Sequence, residues 1–589
     1  MSSAGAPEET RPRLVVEREL DRENRYRGML GLAPLGHRLA ANVRLWAWLG
    51  PLLMMMLGGM LRLANLDHPA ELVFDETYYV KDAFTLDQYG YATQWEPDDE
   101  EEGPNANFVA GDYHEMTDDP AYVVHGDVGK WLIALGMRLF GADTGLGWRF
   151  AVAIAGTLTI LLVGRIAYRL FRSALLATAA AAFIALDGVS ITHSRTALLD
   201  GFLTLFVLVG FWALLKDREL SRARLATRYA RARNPFADPW GPPTGVRWWM
   251  VVAGIALGVA AGVKWSGLYA AAAFGITAFL WEVQARRAAG ARLWIGAGVF
   301  RGGMPAFLAL VPTTILTYVA TWFSWFRAEN SYLRQWAAER RASGEDLPRA
   351  WLPDSLNSFV EYHLQMLRFH SNLDSEHSYM ASPLGWLLQI RPTSFYWRDL
   401  TKEGVDVDCG ADRCVQAITS VGNPVLWWAG FLALALVLWM AFRRGDWRAQ
   451  AIVAGYAGTY LPWFLFLDRT VFTFYTVVIA PFVALAVTYA LGLMSHRLPL
   501  YDPADPSGRA GPAWLALRVP ILSRSEGRRR RRPALRRLTP AVSRRVGVVT
   551  FAVVVGLLVL LAALWWPIWT ALTVPYWFWH LHMWMPSWV

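Results

Sequence analysis

The sequence predicts an all-α polytopic membrane protein with about 11 transmembrane helices, at about 20 residues per span, and two long extracytoplasmic loops. Three observations carry this. Of 589 residues, 54% are hydrophobic and 18% charged, with a mean hydropathy of +0.25. That is too apolar for a soluble chain, and a single anchoring span would not account for it. Apolar runs of spanning length recur along the chain, and the basic residues gather in alternate connections between them. The same alternation assigns the net charge of +9 to topology rather than to nucleic acid, for which no module is visible.

Residues 1–44 mix Arg with Glu and lack a small-residue cleavage site, so they read as a flexible cytoplasmic tail. An N-terminal membrane module, 45–325, has spans near 45–66, 148–170, 174–192, 198–215, 248–263, 267–284 and 303–325. Within it, 67–147 is too polar for lipid and forms the first outer loop. Two amphipathic pieces, near 78–89 and 129–140, suit the membrane interface. The acidic insert between them, Glu96 and 98–102, reads as solvated. The second outer loop is 326–423. A C-terminal module, 424–566, has spans near 424–442, 450–467, 471–493 and 547–566.

Eight Lys or Arg in 216–247 and thirteen in 495–546 place both segments in the cytoplasm. Arg169 with Arg172, Arg286 with Arg287, and Arg443 with Arg444 fall on the same side when spans are counted in order. The N-terminus is then cytoplasmic. Both long loops and the Trp-rich tail 567–589 face outward from a plasma membrane. Trp577, Trp579, Trp584 and Trp588 read as an interfacial belt. The basic run 528–532 reads as a topology determinant, with anionic lipid as an alternative partner.

Adjacent carboxylates at Asp75 and Glu76, flanked by aromatics just after the first span, suit general-base work on a hydroxyl substrate. The alternative is two solvated loop acids. Basic groups at outer membrane edges run against the topology trend and need another reason to be there. Arg149, Arg195, Lys264, Arg391 and Arg469 all qualify. Converging on an outer cavity they would suit a lipid-linked phosphate; singly, each could snorkel or pair with an acid, as Arg195 could with Asp200. His125 and Lys130 lie in a Gly-containing turn, where His125, Asp127 and His114 are a nominal metal set against ordinary loop hydrogen bonding. The two cysteines, Cys409 and Cys414, share an outer loop and suit a short disulfide; nearby partners for zinc are lacking.

Four motifs in order, Phe74-Asp75-Glu76, His193-Ser-Arg-Thr-Ala-Leu-Leu-Asp200, Gly262-Val-Lys-Trp-Ser-Gly267 and Asp468-Arg-Thr-Val-Phe-Thr-Phe-Tyr475, resemble the protein O-mannosyltransferase family, its actinobacterial branch most closely. The resemblance covers the chain from about Leu45 onward. It implies the GT-C glycosyltransferase fold and transfer of mannose from polyprenyl-phosphate mannose to Ser or Thr of proteins crossing the membrane. By resemblance, Asp75 deprotonates the acceptor hydroxyl and Glu76 orients the acceptor or the loop. Arg149 matches an important arginine at the start of the second span, and Arg469 falls at a basic position near a later span. The family's His-Pro-Pro-Leu/Val-Gly-Lys is here His125-Gly-Asp-Val-Gly-Lys130, which adds flexibility to that loop. The segment 326–423 is too short for the large insertion of eukaryotic members.

The implied mechanism is inverting displacement at the anomeric carbon, with one base and with cations such as Arg469, Arg391 or Lys264 on the departing phosphate. No nucleotide is required, no phosphate-cradling loop is present, and a divalent metal is not demanded. The resemblance also makes a secretion translocon a partner. Rival readings are a GT-C enzyme that glycosylates a lipid or cell-wall glycan, and a lipid or sugar transporter. The charges collect at outer span ends rather than mid-membrane, and no internal repeat is evident, which disfavours transport.

Overall fold

The computed structural model describes residues 10–36, 41–96, 103–234, 237–499, 518–520, 535–537 and 540–589. Most of the acidic insert and the basic run 528–532 lie outside them. Each predicted span falls on a helix, but the spans are less uniform than the sequence suggests. Among the described residues, seven helices are long and apolar enough to cross a membrane, or up to eight with one bent pair. Trp248–Val263 and Ala480–Met494 are shorter apolar helices.

The departures have local causes. The predicted span 174–192 breaks into Ala174–Ala185 and Gly188–Ser194, bent by 61°. Asp187 starts the second piece by accepting from Ser190 N at 3.1 Å. The carbonyls left at the end of the first piece are covered by Arg62, from the Ala41–Leu63 helix. Its Nη1 donates to Ala185 O at 3.3 Å and its Nη2 to Ile184 O at 3.1 Å. Its other N–H groups donate to Gly58 O, Ser190 Oγ and Ser194 Oγ. Gly188 sits against Trp569, where an added Cβ would fall 2.2 Å from the indole ring. Further along, Trp447–Thr459 stops short of the predicted 450–467, and 3-10 turns follow at Leu461–Leu465 and Thr473–Val478.

Two features lie beyond the sequence reading. The N-terminal tail contains a helix, Thr10–Met29, whose end packs through Tyr26 and Leu30 on Leu225 and Tyr229 of the long Leu199–Arg231 helix. The chain is also not wholly α. Thr393–Asp399, Cys414–Ser420 and Val574–Pro575 form an antiparallel sheet in that spatial order, and Thr93–Trp95 pairs with Met116–Pro120. The Trp-rich tail therefore supplies a strand to the second outer loop, and Trp579 packs with Val415, Ile568 and Val574. Cys409 and Cys414 are disulfide-bonded beside that sheet.

The amphipathic pieces of the first outer loop are the helices Glu76–Tyr89 and Val128–Phe140. One apolar core joins them to residues of both membrane modules, from Ile133 and Val163 to Phe482 and Leu485. Burial of this kind is what holds an irregular outer loop at a fixed height over the spans.

Candidate active site

The site is built on a turn. Phe74 adopts a left-handed backbone, φ 50°, which costs a bulky residue about 1–3 kcal/mol. The surroundings hold it there: its ring stacks on Phe395 at 4.7 Å and meets Phe474 edge-on at 5.3 Å. The turn sends the two adjacent acids in different directions.

Glu76 goes into the protein. It is 0% exposed, as is Arg149, which donates from Nε to Glu76 Oε1 at 2.9 Å and from Nη2 to Oε2 at 2.8 Å. Glu76 also accepts from Val73 N and Ala197 N. The remaining Arg149 N–H groups donate to the carbonyls of Leu66, Pro69 and Glu71. All five donors of a guanidinium are thereby consumed. Arg149 has none left for a lipid phosphate, which corrects that expectation. It clasps the start of the outer loop instead.

Asp75 lies instead close to Lys264, Asp200 and Tyr79. Burial pushes its pKa up to about 6; the Lys264 ammonium pulls the other way, Asp200 adds to the rise, and a hydrogen bond from Tyr79 offsets part of it. Lys264 Nζ lies 2.7 Å from Asp200 Oδ2 and 5.4 Å from the centre of the Tyr475 ring. Lys264 ends the Trp248–Val263 helix, and Asp200 stands in the first turn of Leu199–Arg231. Asp200 thus pairs with Lys264, not with Arg195 as the sequence suggested.

Lys264, Asp200 and Tyr475 line a cavity of about 110 Å³ together with His125, His370 and Arg469. Trp265, Tyr269, Trp463 and Phe466 supply aromatic wall. Such a space, apolar-walled with a few convergent charges, is the usual form of a ligand site. Of the predicted basic residues, Lys264 and Arg469 reach it, and so does His125.

The others do not. Arg195 Nη1 donates to the carbonyls of Leu61, Arg62 and Ala64, and its Nη2 to Asn65 O, closing the end of the first span. Arg391 holds Ser378 O through Nε at 2.8 Å. Lys130 is buried with Asp82 at 3.2 Å and Asp127 at 3.7 Å. Asp127 is thus an ion-pair partner, and His114 pairs with Asp112. Among the described residues no three of His, Cys, Asp or Glu form a group able to hold a metal. His370, Tyr269 and Trp463 were missed, since an isolated His or aromatic carries no periodic signal in sequence.

Residues 141–326 match the family described as dolichyl-phosphate-mannose-protein mannosyltransferase, and residues 355–588 match the C-terminal four-span region of protein O-mannosyltransferase. A polyprenol-phosphate-mannose–protein mannosyltransferase of Mycobacterium tuberculosis is 35% identical over 485 residues, 81% of this chain and 83% of that one. A protein of the same name from Corynebacterium glutamicum is 31% identical over 72% of this chain and 78% of its own. The fold is similar to that of the Saccharomyces cerevisiae Pmt1–Pmt2 protein O-mannosyltransferase complex bound to its sugar donor. That match has a TM-score of 0.61 at 14% identity, covering 94% of this chain and 93% of that one. The architecture is the GT-C fold of a multi-pass membrane glycosyltransferase. On the extent of the sequence match and the agreement of fold, this chain belongs to the protein O-mannosyltransferase family.

Proposed function

We propose that the protein transfers mannose from polyprenyl-phosphate mannose to Ser and Thr hydroxyls of secreted or translocating proteins at the outer membrane face. The observation that carries this reading is the Asp75 carboxylate, with its pKa pushed up to about 6, set close to Lys264, which lines a cavity together with Arg469. A base poised near neutral pH and a pair of cations are what a displacement on a sugar phosphate needs.

In the proposed reaction the acceptor oxygen attacks the anomeric carbon from the side opposite the phosphate. Its proton passes to an Asp75 carboxylate oxygen as the new C–O bond forms. The bond from the anomeric carbon to the phosphate oxygen breaks, and its electron pair leaves with the polyprenyl phosphate. Configuration inverts. Arg469 and Lys264 stabilise the charge on the departing phosphate, so no general acid is required. Glu76 acts one step back, holding the turn that presents Asp75.

The active site and C-terminus are outside and the N-terminus is cytoplasmic in this reading, which the arginine distribution supports. A secretion translocon is a fitting partner for an enzyme that modifies chains during passage. The test is transfer of radiolabel from polyprenyl-phosphate mannose to a Ser/Thr-rich peptide in membranes that express the chain. Peptide label that Asp75→Asn abolishes supports the activity and the base. Label appearing only in extractable glycolipid would overturn the protein acceptor.

A further inference from the structure

The proposed reaction gives no part to His370, which lines the cavity. His370 lies in the last turn of the Asp354–Ser371 helix. Its Nε2 is 2.9 Å from Val124 O, and its Nδ1 is 3.1 Å from Arg469 Nη2. A carbonyl only accepts and a guanidinium only donates. The ring is therefore the neutral imidazole, with its proton on Nε2 and its lone pair on Nδ1 turned toward Arg469.

The surroundings fix that ring. His125 stacks on it at 5.4 Å with planes 22° apart, and Trp265 lies 5.9 Å away. The backbone beside Arg469 is tied to the chain that follows His370, Thr470 N to Leu373 O at 3.0 Å and Ala381 N to Val471 O at 2.8 Å. The charged groups that face His370 are Arg469 and Lys264, and Asp200 shares the cavity. Burial, with Arg469 next in effect, holds the His370 pKa down at about 4, which keeps the neutral form through physiological pH. Arg469 itself has its Nε buried without a protein partner.

We propose that His370 is a positioning residue: its Nδ1 lone pair, set by the Val124 carbonyl through Nε2–H, orients the Arg469 guanidinium so that the remaining N–H groups serve the lipid phosphate. This rests on the reading of Arg469 as a phosphate ligand. A neutral acceptor suits the task better than an acid. A carboxylate at the same place would hold the guanidinium equally well but cancel the charge the phosphate needs. Fixing the long side chain in advance also removes an ordering cost from binding.

The test uses the full chain purified in detergent, with equilibrium binding of short-chain polyprenyl phosphate as the primary readout and donor KM and kcat beside it. His370→Phe keeps a ring to stack on His125 but has no acceptor. His370→Asn places an amide oxygen near the Nδ1 position. The expected result is that Phe weakens polyprenyl-phosphate binding by about tenfold and lowers donor kcat/KM by at least as much. Asn recovers most of the loss, and Phe adds nothing in an Arg469→Ala background. Phe binding as wild type does, Phe and Asn failing equally, or a Phe effect that persists without Arg469 would each overturn the proposal. Because polyprenyl-phosphate binding is read without acceptor, a failure of peptide transfer is seen separately. Wild-type protein that does not bind polyprenyl phosphate removes both readings.

Discussion

Glu76 and Arg149 form a fully buried, two-pronged ion pair, Nε to Oε1 at 2.9 Å and Nη2 to Oε2 at 2.8 Å, one residue away from the Asp75 carboxylate beside Lys264 and Asp200. Adjacent acids of the same motif are thereby given different work. One fixes the turn and the other is free to take a proton.

The two acids are separable by substitution. Asp75→Asn is expected to lower transfer by about 10²–10⁴-fold with normal yield of folded protein. Glu76→Gln leaves Arg149 charged and only partly paired in the interior, and is expected to cost about 3–5 kcal/mol of stability. Thermal melting in detergent beside label transfer checks this: Asp75→Asn loses rate, and Glu76→Gln loses folded protein.

Transfer by wild-type protein is expected to fall about tenfold per pH unit below about pH 6, because the proton then occupies the oxygen that must accept one. Stability moves the other way. The folded state holds the Asp75 proton more tightly than the unfolded chain does. The contribution of this group is therefore complete below the unfolded pKa of about 4 and is lost as pH rises through about 6. At pH above that window Asp75→Asn melts no lower than wild type, which a melting series across pH reads directly.

Lys264 and Asp200 tune that carboxylate in opposite directions. Lys264→Met removes the ammonium that favours the charged form, so the acid limb of the rate profile moves to higher pH. Asp200→Asn removes a like charge and frees Lys264 from its 2.7 Å pair, so the limb moves to lower pH. Profiles of kcat measured on the folded fraction of each variant decide it, and limbs that stay in place would remove Asp75 as the group observed.

Arg62 is expected to matter for folding alone. Arg62→Met strips a donor from the carbonyls of Ile184 and Ala185 and from two serine hydroxyls at the break in the helix, at a cost of about 1–3 kcal/mol for each carbonyl left unpaired. Arg62→Lys restores little, since an ammonium lacks the planar fork of donors. Yield and melting temperature fall in both, while transfer per folded molecule is retained.

Residue types and their spacing determined the helical class, the approximate places of the spans and the pair of acids after the first of them. Those features come from local pattern: an apolar run is apolar whatever it packs against, and a turn motif is contiguous. The bend at Asp187, the strand contributed by Val574–Pro575 and the docking of Thr10–Met29 were not legible, because each depends on a partner far along the chain. The basic residues show the same division most sharply. In the sequence, Arg149, Arg195, Arg391, Lys264 and Arg469 look alike, as cations at outer helix ends. Tertiary structure alone decided that three of them spend their donors on backbone or a buried acid while Lys264 and Arg469 reach the cavity. A guanidinium's partners are set by which carbonyls the fold leaves unbonded nearby, and that is fixed only when the helices have packed.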